Sequence, residues 1–154
     1  LRRSRLAPHR LHAEITERAA LGRAPGTGFA APEATVRSLH AMGVSIVLDD
    51  FGTGYSSLTH VRRFPLSSLK IDGSFVAGVV AGGQDRAIVA AVIGIAKALG
   101  LTAIAEGVES AAQREAFVAL GCDRAQGHLF WPALPGDVAL GLLQDRAAHP
   151  VHQG

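Results

Sequence analysis

Short apolar runs alternate along the chain with longer segments whose apolar positions recur at helical spacing. Leu11–Thr16 predicts a strand, followed by the glycine- and proline-rich loop "GRAPGTGFAAP" (Gly22–Pro32). A helix is expected from about Glu33 to Met42, where Gly43 provides a C-terminal stop. Val44–Asp49 reads as a strand, Ser56–Arg63 as a short helix ended by Pro65, and Ser67–Asp72 as a third strand. After a glycine-rich link, Gln84–Leu99 predicts the longest helix, with Ile88, Val92, Ile95 and Leu99 on one stripe and Gly100 at its end. Leu101–Glu106 is a strand. Ser110 caps a helix through Leu120, with Gly121 beyond it. Cys122–Gly127 is a weaker strand and Asp137–Arg146 a last helix.

Strands separated by helices pair in parallel through right-handed crossovers. Val44–Leu48 is almost wholly apolar, as a strand covered on both faces must be. The expected class is therefore α/β with parallel strands, and the pattern leaves open sheet or barrel undecided.

Composition narrows this further. The 154 residues suit one domain, and 48% hydrophobic against 18% charged residues supplies a sizeable core. The longest apolar run, around Ala87–Leu99, is interrupted by Lys97 and is too short to span a membrane. No signal-peptide pattern is present. A single cysteine, Cys122, excludes an intramolecular disulfide and a cysteine-rich zinc site, and the compartment expected is the cytoplasm. Net charge is +2, with Arg2, Arg3, Arg5 and Arg10 crowding the start. Aromatic residues make up 5% and do not interleave with these arginines, so DNA or RNA binding is not expected.

The acids fall at unusual places. Glu14 lies near the end of the first strand, Asp49 and Asp50 end the second, Lys70 and Asp72 close the third, and Glu106 ends the fourth with Glu109 three residues on. Gln126 lies on the fifth. In parallel α/β folds such ends converge on one edge, where ligands bind. Carboxylates gathered there repel unless a cation neutralises them, and hard oxygen donors suit Mg²⁺ or Mn²⁺ better than zinc. A lysine among them could hold a phosphate or position a water, which is equipment for metal-dependent phosphoryl chemistry. Two competing readings exist. A phosphoacceptor receiver domain needs a further aspartate ending a middle strand, and none lies between Asp50 and Lys70. Turn capping or arginine pairing explains any single carboxylate more readily than the whole set.

Five motifs occur in order: "AEITE" (Ala13–Glu17), "LDDFGTGYSSL" (Leu48–Leu58), "KIDGSFV" (Lys70–Val76), "AEGVES" (Ala105–Ser110) and "QGHLF" (Gln126–Phe130). Together they resemble the EAL domain, the phosphodiesterase of bacterial cyclic di-GMP signalling. The resemblance implies a TIM-like (β/α)8 barrel and hydrolysis of cyclic di-GMP to linear pGpG with two Mg²⁺ or Mn²⁺ ions. It implies metal ligation by Glu14, Asp49, Asp50 and Glu106. Lys70 corresponds to the residue orienting the hydrolytic water, and Gln126 to one near that water. Glu17, Gly52, Gly54 and Glu109 correspond to residues supporting the site, Glu17 as anchor of the loop after Asp50.

The family's Glu-Ala-Leu segment and asparagine strand are not found in the sequence. Residues 1–147 are therefore expected to be the C-terminal portion of an EAL domain, a partial barrel, with 148–154 as a tail. The longer protein is expected to be the enzyme, dimeric and accompanied by a GGDEF or sensor domain, with a membrane anchor on the parent left open, and the 154-residue piece alone to be inactive. The alternative is a catalytically silent EAL-like module that binds cyclic di-GMP or a protein partner.

Overall fold

A computed structural model describes residues 6–16, 30–52 and 61–148. Five strands, β1 (His12–Thr16), β2 (Ser45–Phe51), β3 (Ser68–Ile71), β4 (Thr102–Ala105) and β5 (Arg124–Ala125), form one sheet. Its order is β1-β2-β3-β4-β5 and every pair is parallel. The helices are α1 (Ala30–Ala41), α2 (Gly73–Gly78), α3 (Gly83–Ala98), α4 (Ala111–Leu120) and α5 (Gly136–Ala148). The strand order never reverses. A doubly wound sheet has a reversal, and a barrel does not. The topology thus decides the question that periodicity left open, in favour of the barrel type.

Ile46, Val47 and Leu48 are buried, and all four residues of β3 are buried. One core cluster joins Leu48, Phe51, Leu69 and Ile71 to α3 and Phe117. A second joins Val36, Val44 and Ile46. On α3 the buried residues are Val89, Val92, Ile93 and Ala96, whereas Leu99 is exposed. The buried stripe is rotated from the expected one because α3 packs against both β3 and β4, and the small Ala96 fits that close approach.

α4 begins as anticipated. The Ser110 hydroxyl accepts the Gln113 N–H, and the Gln113 side chain accepts the Ser110 N–H, a reciprocal cap. Gly121 closes the helix in the left-handed conformation. β5 is short, and side chains stand in for its missing backbone partners. The Asp123 carboxylate accepts the Ala103 N–H at 2.8 Å, while the Cys122 thiol donates to the Ala103 carbonyl. Burial pushes the Cys122 thiol pKa up.

Two expectations change. α2 was not anticipated, and Asp72 is its N-cap rather than a member of the strand-end cluster, accepting from the N–H and hydroxyl of Ser74. The helix expected over 56–63 falls mostly on residues outside those described. No helix among the described residues is long and apolar enough to cross a membrane. α5 ends at Ala148, and residues 149–154 are not described.

Candidate metal and hydrolytic site

Adjacent residues in a regular strand point to opposite faces, so Asp49 and Asp50 should diverge. They do not, because β2 carries a bulge. Leu48 pairs with Leu69 and Phe51 with Ile71, leaving two residues of β2 opposite Lys70 alone. Asp50 absorbs the extra residue with φ 56°, a left-handed conformation that aspartate tolerates better than most side chains. Its N–H donates to the Asp49 carboxylate at 3.0 Å. Both carboxylates thus meet Glu106 from β4: one oxygen from each of Asp49, Asp50 and Glu106 lies within 4.8 Å of the others.

Lys70 sits beneath them on β3, with its side chain 6% exposed. Its ammonium lies 2.6 Å from Glu106, 2.9 Å from Glu14 and 3.4 Å from Asp49. Burial by itself would lower the lysine pKa. The hydrogen bonds to Glu106 and Glu14, and the charges of Glu106 and Asp49, reverse that and raise it. The carboxylate partners thus favour the charged ammonium, which donates to them.

Glu106 experiences the opposite balance. Burial raises its pKa, Lys70 pulls it down and Asp49 pushes it up, with a net rise. Gln126 donates its side-chain amide to the same Glu106 oxygen that Lys70 holds. Four carboxylates share one ammonium, so the cluster is short of positive charge. Its donors are carboxylate oxygens, with no imidazole or thiolate among them, which fits a hard divalent cation.

The remaining residues are more dispersed. Glu14 is half-exposed and reaches the cluster through Lys70. Glu109 is exposed, and its N–H donates to the Gln113 side chain, so its described contact belongs to the α4 cap. Gly52 has φ 99°, and a Cβ there would lie 3.1 Å from the Phe75 ring, so both conformation and space favour glycine. Glu17 and Gly54 lie outside the described residues. Trp131 is half-exposed and lines an apolar cleft of about 320 Å³ with Pro132, Leu134, Ala139, Leu142 and Leu143. None of the clustered carboxylates lines that cleft.

The profile of the family described as "EAL domain" matches residues 1–133. The chain belongs to the EAL domain family. It is 41% identical over 140 residues to the bifunctional diguanylate cyclase/cyclic di-GMP phosphodiesterase MucR of Pseudomonas aeruginosa, covering 91% of this chain and 20% of MucR. It is 40% identical over 130 residues to the cyclic di-GMP phosphodiesterase RocR of the same organism, covering 84% of this chain and 32% of RocR. The chain thus spans about a fifth to a third of these relatives' lengths.

Among solved structures, the MucR phosphodiesterase in complex with cyclic di-GMP superposes with a TM-score of 0.80 at 40% identity, covering 90% of this chain and 54% of that one. Klebsiella pneumoniae BlrP1 with manganese and cyclic di-GMP gives 0.71 at 32% identity, covering 80% and 30%. The five strands of this EAL chain are therefore part of a TIM-like barrel, as the motifs implied. Within it, the strand-end edge carries the acids and Lys70, while the apolar interior of β2–β4 lies behind them.

Gln113 lies outside the five motifs. Its carboxamide caps α4 and also donates to the Val76 carbonyl of α2. The Ser-x-x-Gln spacing signals the first role. No local pattern signals the second, which spans 37 residues.

Proposed function

We propose that the protein carrying this chain hydrolyses cyclic di-GMP to linear pGpG in a reaction dependent on divalent metal. The observation that carries this reading is the convergence of Asp49, Asp50 and Glu106 oxygens directly above the buried ammonium of Lys70. Asp49, Asp50 and Glu106 would hold the ions, two in number and Mg²⁺ or Mn²⁺, with Glu14 completing the ligand set. Ions bound there supply positive charge that lowers the pKa of a water and offsets the charge of the diester.

The chain's own groups do the rest. Lys70, kept protonated by its carboxylate neighbours, donates to the attacking water or to a phosphate oxygen and opposes the charge that builds on phosphorus. Gln126 holds the Glu106 carboxylate in place by donating to it. The left-handed Asp50 keeps both aspartates on one side of the sheet. By the family resemblance, Glu17 would anchor the loop after Asp50, to which Gly52 and Gly54 belong. The water oxygen joins phosphorus, one ribose oxygen leaves with a proton, and the ring opens to the linear dinucleotide.

The remainder of this reading concerns the longer protein: cytoplasmic placement of the domain, a homodimer, and an accompanying GGDEF or sensor domain. The bifunctional diguanylate cyclase/phosphodiesterase MucR supports the accompanying domain, and the cyclic di-GMP complexes of MucR and BlrP1 support the ligand.

The test is turnover of cyclic di-GMP by the full gene product with Mn²⁺ or Mg²⁺, compared with Glu106→Gln and with chelator. Removing a ligand of this kind is expected to cost at least about 100-fold in rate, at the upper end of what second-sphere losses alone produce. A Glu106→Gln enzyme as fast as wild type removes Glu106 from the site. Binding of cyclic di-GMP without metal-dependent turnover identifies the silent module instead.

A further inference from the structure

The segment that follows β4, Glu106–Ser110, has no regular secondary structure. It nevertheless has to hold the Glu106 carboxylate against Asp49 and Asp50. Besides the Glu106 N–H, which donates to the Ile71 carbonyl at 3.2 Å, and the Gln126 amide on its carboxylate, three contacts grip it. The Val108 N–H donates to the Gln126 carbonyl at 3.0 Å and the Leu129 N–H to the Val108 carbonyl at 3.0 Å. Gly127 lies so close that a Cβ there would fall 2.3 Å from the Val108 N and O. Gly73, at the start of α2, faces the backbone of Glu106 and Gly107, with Cβ approaches of 3.7 Å.

The third grip is Gln113. Its side-chain oxygen accepts the N–H groups of Glu109 at 2.8 Å and Ser110 at 3.0 Å. Its amide nitrogen donates to the Val76 carbonyl on α2 at 3.4 Å. One half-buried side chain therefore joins α4, the segment bearing Glu106, and α2. α2 in turn touches the other acidic segment, since the Phe75 ring packs against Gly52, two residues beyond Asp50. α2 thus contacts both acidic segments, the one after β4 through Gln113 and the one at the end of β2 through Phe75.

We propose that Gln113 is a positioning residue for Glu106: its carboxamide straps the Glu106–Ser110 segment to α2 and so holds the carboxylate at the spacing that a divalent ion requires. The consequence for metal rests on the proposed function, whereas the strap itself does not.

Gln113→Glu separates the strap from the cap. A carboxylate still accepts the Glu109 and Ser110 N–H groups, as glutamate does at this position of a capping box, and its charge suits a helix N-terminus. It has no N–H for Val76, so only the strap is cut. The added negative charge would by itself favour cation binding, so weaker binding cannot be a simple charge effect.

The experiment uses the full gene product and three readouts. In Gln113→Glu the thermal midpoint is expected to stay near wild type. Amide exchange at Glu106 and Val108 is expected to quicken relative to α4. Mn²⁺ binding, measured by calorimetry without substrate, is expected to weaken about tenfold, the low end of losses seen when an outer partner of a ligand is removed. Gln113→Ala should lower the midpoint as well. Unchanged exchange and Mn²⁺ affinity in Gln113→Glu overturns the proposal, because capping alone then accounts for the residue. Faster exchange with unchanged affinity overturns it too. Faster exchange in a protein whose wild type binds no Mn²⁺ leaves the strap standing, rejects its role toward metal and counts against the proposed function.

Discussion

Two charge networks in this EAL chain have similar geometry and different surroundings. On α1, Glu33 holds Arg37 at 3.0 Å and Arg63 at 3.1 Å, and Arg37 also donates to the Arg63 carbonyl. At the strand ends, Lys70 holds Glu106 at 2.6 Å and Glu14 at 2.9 Å. Distance hardly distinguishes them. Burial does: the arginine side chains are 58% and 49% exposed, whereas Lys70 is 6% exposed. Water screens the first network, so it contributes little and its loss is cheap. The second cannot lose its lysine without leaving Asp49 and Glu106 facing each other in a poorly solvated place. A surface cluster is a staple, whereas a buried cluster with surplus negative charge is a site that demands a cation.

The difference can be tested at its widest point with Lys70→Met. This leaves Asp49 and Glu106 facing each other without the ammonium, and is expected to destabilise the metal-free protein by about 3–5 kcal/mol in urea unfolding. Added Mn²⁺ should restore part of that loss, which an ordinary core defect would not allow. Turnover should fall with it and should not return. A Lys70→Met protein as stable as wild type would erase the contrast between the networks.

Glu14→Gln probes an intermediate case, since Glu14 is half-exposed and Lys70 keeps two other carboxylates. The expected cost is about 1 kcal/mol by the same measurement. A third point is Asp72, which carries charge-assisted bonds away from the cluster. Its hydrogen bonds from the Ser74 hydroxyl and N–H hold its carboxyl below the usual aspartate range. The folded chain therefore binds this proton less tightly than the unfolded chain. The contribution to stability is complete above the ordinary aspartate pKa and fades as pH falls toward the lowered one. Asp72→Asn should flatten that acid limb of the stability profile and leave the neutral range with only the loss of a cap. The smallest effect belongs to Arg63→Ala, at most about 1 kcal/mol. It should vanish in 1 M salt, where charges are screened over about 3 Å.

Much of this was legible before any coordinates. The strands at β1, β2, β3 and β4 and the helices at α1, α3 and α4 follow from apolar period, from Gly43, Gly100 and Gly121 as stops, and from Ser110 as a cap. These are local signals, read from a few neighbouring residues. α2 escaped because glycine at both ends of a six-residue segment argues against a helix. It forms because Asp72 caps it and Val76 and Val79 are fully buried beneath it. Spacing sets the period of α3 but not its direction: Val92 is buried and Ile88 and Ile95 pack against the core, while the contacts with β3 and β4 bury Val89, Ile93 and Ala96 as well.

The candidate site divides in the same way. Which residue types gather at strand ends is a property of order along the chain, because parallel strands joined by right-handed crossovers bring those ends to one edge. That Asp49 and Asp50 face the same way is not, since an alternating strand would part them and only the bulge opposite Lys70 unites them. Nor could the chain's order reveal that Gln113 reaches α2 or that Lys70 touches three carboxylates from three other strands. Local preferences act over a few residues through backbone sterics and capping. Charge balance and ligand spacing depend on distances between segments far apart in the chain, and only packing sets those.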